Sequence, residues 1–136
     1  MKRFLIALVT AVLTAAQVAA QSADRPAITG TIQNQLDAFQ ADDFATAFTF
    51  ASPMIQGMFG SPDRFGTMVR NGYPMVWRPG AVRYLDLREI GGRLWQQVLI
   101  TDLNGTSHVL DYQMIEGPDG WRINGVQILR LPGTGA

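Results

Sequence analysis

A single histidine, His108, stands in this chain, and histidine is the side chain that titrates near neutral pH without help. Ser107 and Asp111 flank it, which suggests nucleophilic hydrolysis. Spacing argues against that use, because residues one or three apart along a strand point to opposite faces. A rim position hydrogen-bonded to backbone or to Thr101 is the structural reading of His108; proton transfer is the catalytic one. Asp86, Gln97 and Tyr112 form the second constellation. A carboxylate made more basic by burial can abstract a proton, and a tyrosine O–H can stabilise the oxyanion that develops. The competing reading pairs Asp86 with Arg78, Arg83 or Arg88 and leaves Tyr112 to fill core. Catalytic candidates are therefore Asp86, Tyr112 and His108; candidate ligand contacts are Gln97, Trp95, Tyr84 and Trp77.

Composition removes several chemistries. The chain has no Cys, so neither disulfides nor thiol catalysis is open to it. Its one lysine, Lys2, lies in the N-terminal segment, which leaves no Schiff base for the rest. A lone His cannot build a zinc site of several imidazoles. Asp42-Asp43 is too small a set for calcium and better suited to capping a helix. Gly91-Gly92 opens no helix, so it cradles no phosphate. No cofactor and no metal is expected. Acidic and basic residues balance at 11 each, a charge pattern with no footprint for nucleic acid or an anionic membrane surface.

The elements that must position these residues begin with a leader. In MKRFLIALVTAVLTAAQVAA, Lys2 and Arg3 precede an apolar run, and Val18-Ala19-Ala20 supplies small residues for cleavage. That order describes a secretory signal peptide over residues 1–20, cut after Ala20, with an exported, periplasmic or secreted product. The apolar run is too short for a membrane span, which needs about 20 residues. A flexible leader over 21–27, one domain over 28–131 and a flexible tail over 132–136 are expected to follow.

Ile28, Ile32, Leu36 and Phe39 repeat at the spacing of one helix face. Phe44, Ala47, Phe48 and Ala51 repeat it after the two aspartates, and Pro53 ends that run. Met54 to Phe59 reads as a Gly-broken apolar segment able to flank a pocket opening, where Met adapts to varied apolar ligands. Ser61-Pro62-Asp63 starts a helix buried through Phe65, Met68 and Val69. The period then changes to 2. A short strand is expected at Met75 to Trp77, then four longer ones near 82–90, 93–102, 106–116 and 121–130. Helices followed by an antiparallel meander make an α+β protein.

A two-residue turn at Asn104-Gly105 sets Thr101 opposite His108, Gln97 opposite Tyr112 and Trp95 opposite Met114. A two-residue turn at Gly91-Gly92 sets Asp86 opposite Gln97. In that register Asp86, Gln97 and Tyr112 form a row on one face. The other face carries Leu85, Leu87, Leu94, Val98, Ile100, Val109, Ile115, Val126 and Ile128. With both faces apolar, a homodimer through the second is expected, centred on Leu85, Val98, Ile100, Val109 and Val126.

Asp42-Asp43-Phe44 with Ala47-Phe48, and Asp119-Gly120-Trp121-Arg122-Ile123, resemble the cystatin-like, nuclear-transport-factor-like and polyketide-cyclase-like superfamily. Phe48 to Pro53, Phe59-Gly60, Phe65, Met68-Val69, Gly72-Tyr73-Pro74, Arg78-Pro79, Tyr112 and Gly120 to Ile123 resemble more closely a family of small exported, mostly alphaproteobacterial proteins whose domain has no known function. The resemblance implies N-terminal helices on a curved antiparallel sheet, a cone; the close family brings no known activity or catalytic residues to carry over, and the wider superfamily holds both enzymes and non-enzymatic binders. The functional expectation is a non-catalytic ligand-binding or protein-interaction module. The alternative is a cofactor-free isomerase, dehydratase or cyclase acting on a small apolar substrate.

Overall fold

The computed structural model describes residues 24–129. The signal peptide expected over 1–20, its expected cleavage point and the tail expected over 132–136 lie outside the described residues. Helix α1 covers 24–40, so helix replaces the flexible leader expected over 24–27; Pro26 is tolerated there because first-turn amides have no helical partner. Ile28, Ile32, Leu36 and Phe39 are each 0% exposed, as the periodicity requires. Helix α2 (Phe44–Thr49) starts at Asp43, whose carboxylate accepts from the Thr46 backbone N–H and hydroxyl.

Helix α3 (Pro53–Phe59) shows that Pro53 begins an element as well as ending one. Proline suits the first helical position, and Ser52 caps it by accepting from Ile55 N. Helix α4 (Pro62–Gly72) starts at Ser61 as expected and buries Phe65, Gly66 and Val69. The expected strand at Met75 to Trp77 is instead a single turn, α5 (Pro74–Trp77). Pro74 presets the helical φ, and the Val76 and Trp77 amides donate to Tyr73 O. Adjacent Met75 and Val76 are both buried, which an alternating strand would not permit.

Strands β1 (Pro79–Ile90), β2 (Arg93–Asp102), β3 (Ser107–Gly117) and β4 (Gly120–Leu129) form one antiparallel sheet in sequence order. The α+β expectation and the four-strand meander hold. Register does not hold throughout. Between β2 and β3 the loop has three residues: Asp102 N donates to Thr106 O, Gly105 N donates to Asp102 O, and Gly105 takes φ +84°. The Asp102 carboxylate reinforces this shape by accepting from Asn104 N and Thr106 N, both at 2.9 Å. One extra loop residue slides the pair by one, so Tyr112 faces Gln96 and His108 faces Ile100. A one-residue slip sends every side chain to the opposite face.

The Gly91-Gly92 turn does pair Ile90 with Arg93, but a bulge between Tyr84 and Leu87 shifts the register beyond it. Leu85 O at that bulge accepts from Arg25 of α1 and from Gln96. Met114 faces Ile123 as expected; a second bulge then places Tyr112 opposite Val126.

The inner face, against the helices, therefore carries Tyr84, Gln96, Val98, Ile100, Leu110, Tyr112 and Met114. Val98 and Ile100 are 0% exposed and cannot centre a second-face dimer; Val126 packs on the core too. The outer face carries Arg88, Trp95, Gln97, Leu99, Val109 and Asp111, so of the expected dimer centre only Val109 lies on it beyond the bulge at Leu85. A short parallel bridge joins Ala51 to Ile123, with Ser52 N donating to Ile123 O and Ile123 N to Phe50 O. It covers part of the β4 edge, which would otherwise offer unpaired backbone groups.

Candidate functional site

The expected catalytic row is dispersed. Asp86 sits exposed at the β1 bulge, Gln97 lies on the outer face opposite Asp111, and Tyr112 is wholly buried on the inner face. Trp95 is also on the outer face, opposite Arg88. Tyr84 is an inner residue whose O–H donates to Gln33 Oε1 at 2.8 Å; burial first, and the nearby Asp37 charge second, push its phenol up to about 12.

His108 occupies the rim, as its structural reading requires, but its partner is Asp102 rather than Thr101. Nε2 lies 2.9 Å from Asp102 Oδ2. The His108 contact, then the Thr106 amide, hold the Asp102 carboxyl below its ordinary range. This pair borders a cleft of about 310 Å³ that Trp77, Arg78 and Leu103 also line. Every polar head around Trp77 is already engaged: its Nε1 donates to Asp42 Oδ1, and Arg78 Nη2 donates to both Asp42 oxygens. The Arg78 guanidinium also stacks 4.1 Å from the Trp77 ring centroid. These bonds hold the Asp42 carboxyl below its usual range, the Trp77 indole contributing most. The cleft is large, but the polar groups that Trp77, Arg78, Asp102 and His108 bring to it are bonded within the protein.

A second cavity, about 240 Å³, lies where the helices meet β4. Gln35 and Phe39 of α1, Phe65 and Val69 of α4, and Ile123 and Val126 of β4 form its walls; Ile55 and Met58 of α3 border it, as does Met68. No charged side chain among the described residues lines it. Its polar lining is confined to Gln35 and Tyr73 side chains. Gln35 Nε2 donates to Ala47 O, and Tyr73 O–H donates to Val126 O. The Met54–Phe59 segment flanks a pocket as expected, though as a helix.

Sequence reasoning missed Gln35, Tyr73 and Gln96. Gln35 carried a readable signal: it stands three residues after Ile32 and seven after Ile28, inside the apolar stripe of α1. A polar residue there is buried and must be hydrogen-bonded. Gln96 was concealed by the register error alone.

A helix-covered antiparallel sheet with a cavity between its layers, free of charged side chains among the described residues, defines a small α+β protein. The chain belongs to the family described as a domain of unknown function, DUF4864, whose family model matches residues 21–136. No curated protein and no solved structure matches it.

Proposed function

We propose that this protein is an exported, non-catalytic module that binds one small, uncharged, apolar molecule in the cavity beside β4. The observation that carries the reading is a cavity of about 240 Å³ walled by apolar side chains with no charge among them. A dry apolar cavity of about 150 Å³ takes benzene, and drug-sized ligands occupy roughly 300–1,000 Å³. The ligand class is therefore a single substituted ring or a short branched chain. The enzyme reading has less support, since Asp86, Gln97 and Tyr112 lie in three different environments.

Butylbenzene tests the pocket. Melts of the protein should rise with its concentration, by about 2.7 kcal/mol of added stability at one hundred times Kd. Met68→Glu, which sets a charge at the lining, should abolish the rise. No shift up to the solubility limit, or a shift indifferent to Met68→Glu, defeats the reading.

Export is proposed from the leader pattern, and the family match beginning at residue 21, the expected cleavage point, supports it. Intact mass of protein recovered from its native compartment should correspond to a chain starting at Gln21; a mass that includes Met1 would refute cleavage.

A further inference from the structure

The methionines of the described residues divide sharply by exposure. Met75 and Met114 are 7% and 1% exposed, whereas Met54 and Met58 are 54% and 65% exposed. The exposed pair stands one turn apart on α3, a helix with no buried residue. Met58 of that pair also lines the cavity, with Ile55, Phe59 and the half-buried Met68, whereas Met54 does not. Met58 thus meets water and the cavity at once. An exposed thioether is open to two-electron oxidation, and the sulfoxide it forms is polar where the methionine was apolar.

We propose that Met58 is a modification site, oxidised by hydrogen peroxide to the sulfoxide, and that this oxidation weakens the pocket for apolar ligands. A lone pair of the thioether sulfur attacks one peroxide oxygen. The sulfur–oxygen bond forms as the O–O bond breaks, and the proton of the transferred oxygen passes to the departing hydroxide, which leaves as water. Sulfur is oxidised by two electrons and the peroxide is reduced by two. The inference rests on the pocket reading and adds a means of regulating it. The new oxygen is an acceptor, and the two polar side chains of the lining already donate elsewhere: Gln35 Nε2 to Ala47 O and Tyr73 O–H to Val126 O. The sulfoxide therefore either holds water against the cavity or turns to solvent and withdraws its part of the wall. An apolar ligand loses contact in both cases, because a polar group without a protein partner resists burial beside it.

Peptide mapping of the intact protein during a hydrogen peroxide titration should find sulfoxide at Met54 and Met58 well before Met75 and Met114. Calorimetry with butylbenzene then measures the consequence. Protein oxidised at Met54 and Met58 should bind about tenfold more weakly than untreated protein. Met54→Leu, in which Met58 still reacts, should show the same loss. Met58→Leu, oxidised at Met54, should stay within about twofold of its own untreated form, leucine being a volume-conserving replacement that peroxide does not attack. A methionine sulfoxide reductase with a thiol reductant should restore the oxidised parent. Met58 reacting no faster than Met114, unchanged affinity after oxidation, or an equal loss in Met58→Leu would overturn the proposal. A failure of the untreated parent to bind butylbenzene is a separate result, and it defeats the pocket reading together with what rests on it.

Discussion

Replacing Asp111 with alanine should lower stability by about 2–3 kcal/mol, read as a drop in the urea midpoint at unchanged slope. Asp111 is 6% exposed although it lies on the outer sheet face. Both its oxygens accept from Arg88 Nη2, which reaches across β2 from β1. Removing the carboxylate strands a guanidinium whose Nε is already buried without a partner among the described residues. Fully buried pairs lose about 3–5 kcal/mol on such a change. The Arg88 side chain is 33% exposed, so water recovers part of that loss. Arg88→Met with Asp111→Leu should restore most of the midpoint, because an apolar pair of similar volume avoids desolvating two charges. A double variant no better than Asp111→Ala would mean that the pair contributes more than the avoidance of a stranded charge.

Phe39→Ala should cost more, about 3–5 kcal/mol. The ring is 0% exposed and sits 5.8 Å from the Phe65 ring and 6.3 Å from that of Phe44, centroid to centroid. Little around it can collapse, because α1, α2 and α4 all meet there. Phe39 also lines the cavity, so the space left by truncation joins existing space. Butylbenzene should therefore raise the melting temperature of Phe39→Ala by more than it raises the parent's. Equal shifts in the two proteins would show that the space at Phe39 closes, or that the ligand sits elsewhere.

What the chain discloses on inspection is its periodicity. The stripe from Ile28 to Phe39, the serine cap at Ser61 and the period of 2 along the four long strands are local patterns, and the α+β class follows from them. The site depends on register, which a single loop residue decides. Asn104-Gly105 reads as a two-residue turn because both residues accept positive φ. The Asp102 side chain instead satisfies two loop amides and makes the three-residue loop the better bonded one. That local bond moved Gln97 out and Gln96 in. The bulges near Leu85 and Asn124 had no comparable signature, because an extra residue in a strand leaves the alternation on either side intact.

The bridge between Ala51 and Ile123 divides folding into a near and a far part. Each strand of the sheet neighbours the strand before it in the chain, so three hairpins can close quickly over short loops. The Ser52 side chain reaches Asn124 over a separation of 72 residues, a closure with a larger entropic cost. The cavity has walls on both sides of that closure, so it exists only once the slow contact is made. A ligand that fills it binds the closed chain alone and holds the two ends of the fold together by mass action.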